Sequence, residues 1–440
     1  MQKIAILGFG LEGKSVLKFL KKDKKKKEIW ILDSNEKIKL PRDTNISFQL
    51  GKNYLDNLDD FDVVFRSPGI PYNLSQIQKA IKNGVEFSSA TKLFFKEAQK
   101  IKFKIIGVTG TKGKGTTSTL IYKILRARQS PGDGGKTAYL ARPERSRGVY
   151  LIGNIGKACL DIVSKLNKNS IVVFELSSFQ LQDLDSSPNI AVILDIFPDH
   201  LDKHKTFKEY FSAKLNIVIN QRLSDKVFCF SDNFYSQEMA QKSKAQKIIV
   251  EIKDSVLFEK EDLKIRGPHN FKNILMAVEV TKSFKIDEAI IKKVVLNFHG
   301  LPHRLEFVGK INGISFYNDS AATNPESTAM AIKSFSAPQI LIMGGKDKNL
   351  NYSILAKTIK KSSVKKVFIF GENKDKINKK IAPAISTENC VDLKSALEKS
   401  FKIAYNGDII LFSPGSASFD MFRDYKDRGE QFKKLVNELK

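Results

Sequence analysis

Cysteine is scarce in this 440-residue chain. The three present, Cys159, Cys229 and Cys390, lie far apart and form no CxxC pair. That argues against a disulfide framework and a zinc knuckle, and leaves them as small buried thiols. Long apolar runs are missing too: none approaches the roughly 18 to 20 residues needed to span a bilayer, so no membrane insertion is expected. The amino terminus, Met1-Gln-Lys-Ile-Ala-Ile-Leu-Gly8, enters a strand-like run with no basic segment, apolar stretch or small-residue cleavage site. The expectation is a cytoplasmic protein. Acidic residues are in deficit, with 48 Asp and Glu against 74 Lys and Arg, a formal net charge of +26. Such an excess favours anionic ligands, but the surplus lysine is scattered beside Ile, Asn and Phe rather than gathered into a stripe. No nucleic-acid partner is expected. The one dense run, residues 21–27, reads as a solvated helix end.

The remaining composition, 42% apolar and 28% charged, is that of a globular enzyme, and the length fits two or three domains. Short apolar runs alternate with helix-like segments, the pattern of parallel βαβ units. One set opens with Lys3-Ile-Ala-Ile-Leu7 and continues through Glu28–Asp33 and Phe61–Phe65. A second begins at Ile105-Ile-Gly-Val-Thr109 and includes Ile171–Glu175 and Ile190–Asp195; a third follows His299–Arg304, with runs at 314–317, 339–343, 366–370 and 408–412. The expected class is α/β with three domains: a Rossmann-like domain over 1–100, a central P-loop ATPase-like domain with a parallel or mixed sheet over 101–299, and a Rossmann-like domain over 300–440. Residues 126–148 switch to Gly, Pro and Arg between a helix and a strand. That composition marks an inserted element, in preference to an arginine-bearing functional lid.

The strongest local signal is Gly110-Thr111-Lys112-Gly113-Lys114-Gly115-Thr116-Thr117, after a strand and before a helix. Glycines let backbone N–H groups surround a triphosphate, the helix start adds positive potential, and lysine reaches the outer phosphates. Gly115 stands where a hydroxyl would contact magnesium, so Thr116 or Thr117 must supply one. Glu175 closes a strand of the same sheet and is a candidate magnesium ligand. Asp199-His-Leu-Asp-Lys-His204 places two histidines at i, i+4 spacing, but only five histidines occur in the chain. The preferred reading is His200 as a ligand of a second magnesium, with His204 facing solvent, rather than zinc. Near the amino terminus, Gly8-Phe-Gly10-Leu-Glu12-Gly13 with Asp33 fits a dinucleotide site, or any diphosphate at a helix start.

In this order the motifs resemble the Mur ligase family across nearly the whole chain. The resemblance rests on residues 107–114, Gly153-Asn-Ile-Gly156, Glu175–Leu181, Asp199–Asp202, Lys214, Gly267–Asn270, Gly300–Arg304, Asn318-Asp-Ser320 with Thr323-Asn324, and Ser413–Ser418. It implies an ATP-dependent ligase that joins D-glutamate to UDP-N-acetylmuramoyl-L-alanine through an acyl-phosphate, acting as a monomer. By the same resemblance Gly10, Glu12, Asp33, Ser34, Ser67, Pro68 and Gly69 look like the uridine-diphosphate site, and Asn154 and His200 like contacts to the muramoyl-alanine end. Lys114 would hold the ATP phosphates, and Asn270, Asn273, Arg304 and Asp319 the rest of ATP. Thr116, Glu175, His200 and Lys214, the last carbamylated by CO2, would hold two magnesium ions. Thr323, Lys348 and Ser418 look like the D-glutamate site, with Tyr425 at a position where relatives present an aromatic. Ala321 departs from the lysine that many relatives carry after Asn-Asp-Ser. Two rivals remain: a folylpolyglutamate synthase, disfavoured by the extra amino-terminal domain, and an NAD-dependent dehydrogenase built on the first glycine loop.

Overall fold

Strands form where short β-branched or aromatic runs are enclosed on both faces, as in Ile171–Glu175 and the wholly buried Gln339–Gly344. Helices start where a hydroxyl or carboxylate accepts from the first turn: Ser89 from Lys92 N, Thr206 from Glu209 N, and Asp424 from Lys426 N and Asp427 N. The computed structural model describes residues 1–23, 25–41, 43, 45–127, 148–153, 157–199, 201–253, 255, 257–265 and 267–439. Most of the 126–148 segment, residues 128–147, therefore lies outside the described residues.

The chain packs as two compact units, one of Met1–Leu257 with Lys272–Val295 and one of Phe258–Phe271 with Leu296–Lys440. The first unit holds two parallel sheets. In spatial order the amino-terminal sheet runs Ile46–Leu50, Lys27–Asp33, Gln2–Leu7, Val63–Arg66, Glu86–Ser88. The strand order reverses between Gln2–Leu7 and Val63–Arg66, so the carboxyl ends of these two strands flank a crevice, the usual ligand position in such sheets. The central sheet runs Gln246–Val250, Lys226–Phe230, Ile190–Ile193, Lys104–Thr109, Ile171–Glu175, Val149–Gly153. Helix Ala90–Ile101 ties the two sheets together: Phe94 packs edge-to-face on Phe174, with ring centroids 5.6 Å apart. Such a pair adds about 0.5–1.5 kcal/mol beyond its buried area.

The second unit holds a mixed sheet in the order Glu306–Ile311, Ile314–Asn318, Ile409–Phe412, Gln339–Gly344, Val364–Phe370, Thr387–Asn389. Only the first pair is antiparallel, closed by a turn at Asn312 and Gly313 with φ of 51° and 77°. Alternate residues of Gln339–Gly344 feed two cores, Leu341 and Met343 on one face, Ile340 and Ile342 on the other. Among the described residues no helix is long and apolar enough to cross a membrane.

Candidate active site

The glycine-rich loop leaves strand Lys104–Thr109 and enters helix Lys114–Ala127. Gly113 has φ +84°, and a Cβ there would lie 2.2 Å from Asn273 Oδ1, so only glycine fits this turn. Thr111 staples the loop to the segment after strand Ile190–Ile193: its N–H donates to Asp195 O at 2.8 Å and its hydroxyl to Phe197 O at 3.0 Å. Lys114 Nζ donates to Gly110 O and Thr111 O at 3.0 and 3.2 Å, and Lys112 pairs with Asp199 at 3.3 Å. Thr117 is wholly buried, whereas Thr116 is half-buried on the first turn. Of the two hydroxyls, that of Thr116 is the one open to a ligand.

Lys214, on helix Phe207–Ile219, is 1% exposed. Its Nζ donates to Thr109 Oγ1 at 3.2 Å and Gly110 O at 3.0 Å and lies 4.8 Å from the centre of the Tyr210 ring. Burial, aided by the nearby Lys114 charge, holds this amine well below the usual lysine range. Glu175 is buried at the end of its strand and is electrostatically coupled to Lys214. Among the described residues no three His, Cys, Asp or Glu side chains converge as a metal cluster. Thr116 and Glu175 offer hard oxygens of the kind magnesium takes; Lys214 as an amine offers none, and only its neutral form could attack CO2.

Two residues here depart from expectation or escaped it. His204 does not face solvent. It is 1% exposed, with Nε2 2.9 Å from Ser178 Oγ and its ring stacked on Phe179 at 4.8 Å and edge-on to Tyr210 at 5.4 Å, contacts that sequence spacing cannot show. Tyr210 was not singled out, yet its hydroxyl donates to Thr111 Oγ1 at 3.0 Å and so buttresses the phosphate loop. Burial holds its phenol above the usual range. The available signal was its i, i+4 spacing to Lys214 on one helix face.

Asn273 is set over Gly113 by its neighbour. Lys272 Nζ reaches Asp195 at 2.7 Å and Asp232 at 2.9 Å and lies 4.6 Å from the centre of the Phe230 ring, which fastens helix Pro268–Lys282 to the central sheet's carboxyl edge.

At the amino-terminal switch point Gly8 meets Ser67, the first residue of the Ser67-Pro-Gly69 loop, while Gly10 caps helix Leu11–Leu20 with open space beside its Cα. Ser67 Oγ donates to Gly8 O at 2.7 Å, and Gly13 brings the helix against Gly8, where a Cβ would sit 2.2 Å from Gly8 O. Asp33 accepts from Phe9 N at 2.7 Å and from Asn35 N at 2.9 Å, so both its oxygens shape the loop. Ser34 is exposed beside it. Glu12 turns toward the central sheet, accepting from Gln180 Nε2 at 2.8 Å, and burial raises its carboxyl. Nearby Arg66, 2% exposed, donates to Ile70 O, Phe179 O and Asp183 Oδ1. Arg66 and Asp183 are invisible to motif reading, being 117 residues apart.

In the second unit Asn270 lies on the first turn of helix Pro268–Lys282, and Arg304 is exposed and electrostatically coupled to Asp319. Asp319 is buried, accepts from Ser413 Oγ at 2.8 Å and Leu305 N at 3.2 Å, and is pushed up to about 7, chiefly by burial. Thr323, Lys348 and Ser418 follow three neighbouring parallel strands, Ile314–Asn318, Gln339–Gly344 and Ile409–Phe412, and so share one sheet edge. Thr323 and Lys348 are exposed, Ser418 is buried, and Tyr425 opens the last helix with its carbonyl accepting from Ser320 Oγ. Arg428, unread in the sequence, is fully buried and donates to Ser320 and to the carbonyls of Ser416 and Ala417. Asn154 and His200 lie outside the described residues.

Comparison with known proteins places three family domains in order: the N-terminal domain of MurD-like Mur ligases at residues 2–89, the Mur ligase middle domain at 108–264, and the Mur ligase glutamate ligase domain at 303–415. The chain is 34% identical to the UDP-N-acetylmuramoylalanine–D-glutamate ligase of Acetivibrio thermocellus, with 100% of this chain and 97% of that protein covered. It is 33% identical to the enzyme of the same name from Clostridioides difficile, with 100% and 99% covered. Among solved structures, the UDP-N-acetylmuramate-alanine ligase MurC of Thermotoga maritima aligns over 100% of both chains with a TM-score of 0.58 at 19% identity, a likeness of fold.

Proposed function

The chain belongs to the Mur ligase family, and on that premise we propose that it joins the amine of D-glutamate to the alanine carboxylate of UDP-N-acetylmuramoyl-L-alanine, with ATP, in peptidoglycan precursor synthesis. Identity to D-glutamate-adding ligases along the full chain carries this reading. The MurD-like amino-terminal domain at residues 2–89 supports a nucleotide-linked acceptor over a folate. It also weighs against a dehydrogenase, because the first glycine loop then serves a uridine diphosphate.

A carboxylate acylates poorly, since its leaving group would be oxide. Transfer of the ATP γ-phosphoryl group onto it gives an acyl-phosphate, from which the amine displaces phosphate to form the amide. Lys114 and the start of helix Lys114–Ala127 neutralise charge gathering on the transferred phosphoryl. Thr116, Glu175 and Lys214 as a carbamate, with His200, would hold magnesium. Magnesium, when bound, screens the phosphate oxygens and orients them for in-line transfer. Asn270, Asn273, Arg304 and Asp319 hold the rest of ATP. Gly10, Glu12, Asp33, Ser34 and Ser67-Pro68-Gly69 hold the uridine diphosphate, Glu12 by bracing the loop through Gln180. The family resemblance assigns Asn154 and His200 to the muramoyl-alanine end. Thr323, Lys348, Ser418 and Tyr425 receive D-glutamate. On this reading the enzyme acts as a monomer, and dependence on ATP and a nucleotide-linked precursor supports a cytoplasmic site of action.

Incubating the protein with UDP-N-acetylmuramoyl-L-alanine, ATP, magnesium and radiolabelled D-glutamate should give labelled amide product. Label incorporated only with a folate acceptor would overturn the reading in favour of the folylpolyglutamate synthase branch.

A further inference from the structure

The carboxyl edge of the second unit's sheet carries a buried polar cluster that the roles above leave unused. Asn373 and Tyr352 are each 2% exposed and Ser416 is fully enclosed. Asn373 Nδ2 donates to Tyr352 Oη at 2.9 Å and to Ser416 Oγ at 2.8 Å. Its Oδ1 accepts from Gly345 N at 2.9 Å, and its own N–H donates to Gly345 O at 3.0 Å. Tyr352 Oη and Ser416 Oγ lie 2.9 Å apart and close the triangle.

One amide thereby joins three loops. The first is the Gly344-Gly345-Lys346 turn that leads to Lys348; the second is the turn Gly371-Glu372-Asn373; the third runs from Ser413 to Ser418. The junction has no slack. A Cβ on Gly345 would lie 2.2 Å from Ala417 O, a Cβ on Gly371 would lie 2.7 Å from Gly345 N, and Lys346 N donates to Ala417 O at 2.9 Å. Apolar side chains of like volume would stabilise such a position as well, so a fully satisfied polar hub is better explained by the register it imposes. The loops it registers are those that bear Lys348 and Ser418.

We propose that Asn373 is a positioning residue for D-glutamate, fixing the loop of Lys348 against the loop of Ser418; this rests on the reading of those two residues as the amino-acid site. The test compares the full-length protein with Asn373→Leu, Asn373→Asp and Tyr352→Phe. KM is measured for each substrate, and acyl-phosphate formation is measured without D-glutamate by trapping with hydroxylamine as the hydroxamate. Asn373→Leu should raise KM for D-glutamate on the order of tenfold or more, as misplacement of a substrate contact does. KM for ATP and hydroxamate formation should stay unchanged. Asn373→Asp should recover only part of the loss: it keeps the acceptor for Gly345 N, but both hydroxyls must turn to its second oxygen and give up the bond between them. Tyr352→Phe should move KM for D-glutamate in the same direction by less, and it decides the matter if the leucine variant does not fold. An unchanged KM for D-glutamate in the folded variants, or an equal rise for all substrates, would overturn the proposal. Ser418→Ala separates the two layers: if it too leaves D-glutamate affinity intact, the underlying site assignment fails, whereas a raised KM beside silent Asn373 variants removes the positioning role alone.

Discussion

Lys114 and Lys214 converge on one acceptor: the Nζ atoms of both lie 3.0 Å from the carbonyl oxygen of Gly110. Two ammonium groups on one oxygen repel, and Lys214, wholly enclosed, is the one that burial drives to shed its proton. The expected outcome is a carbamate on Lys214, seen as a new carbonyl resonance after exposure to 13C-bicarbonate and absent from Lys214→Ala. That variant should be inactive and regain part of its turnover with short-chain carboxylates. Because the depressed amine must be neutral to react, the carbamate and the activity should both fall as pH falls. An active, unlabelled wild type would remove the carbamate from the mechanism.

Lys114→Ala should lower kcat by about a hundredfold to a thousandfold, or roughly 3–4 kcal/mol, as loss of a transition-state contact does. Binding of UDP-N-acetylmuramoyl-L-alanine, measured by calorimetry, should be unaffected. Near-normal turnover would refute the role.

Asp319 gives a pH signature. Its carboxyl is raised from 3.8 to about 7, so the folded chain holds that proton more tightly than the unfolded chain. The stability linked to this group is fully present below about pH 4 and is lost as pH rises through about 7. Compared with Asp319→Asn, the wild type should lose up to about 4 kcal/mol of second-unit stability across that window. Urea unfolding of both proteins at several pH values measures the difference; parallel curves would contradict the shift.

Breaking the Arg66–Asp183 pair should be costly, because both side chains are almost fully buried, at 1% and 2% exposure. Arg66→Met alone should destabilise the first unit by about 3–5 kcal/mol by stranding the carboxylate. Adding Asp183→Leu should recover much of that loss. Thermal unfolding of the three proteins decides; a double variant no more stable than the single one would show that the pair does not act as a unit.

Legibility in the sequence followed the range of the interactions. The three α/β sheets and the phosphate loop were readable because runs such as Ile105–Thr109 and turns such as Gly110–Gly113 are local, each residue's neighbours being its sequence neighbours. The hairpin at Asn312-Gly313 was not read, since Glu306–Ile311 alternates too weakly between exposed and enclosed positions to stand out as a strand. His204 was misplaced because i, i+4 spacing says which residues share a helix face and nothing about the Phe179 ring opposite. Tyr210 meets Thr111 across 99 residues and Arg428 meets Ser320 across 108, and no local pattern encodes either contact. Lys214 became interpretable as more than a surface lysine only through resemblance.

The strand Ile409–Phe412 is the last of its sheet in sequence, yet it lies between Ile314–Asn318 and Gln339–Gly344. During synthesis those two earlier strands must wait with facing edges unpaired until the ribosome has delivered the strand that joins them. Such edges invite pairing with other chains. A chain cut before Ile409 should therefore yield aggregates and a protease substrate rather than a partly active enzyme, so that completion of the second unit depends on its last strand.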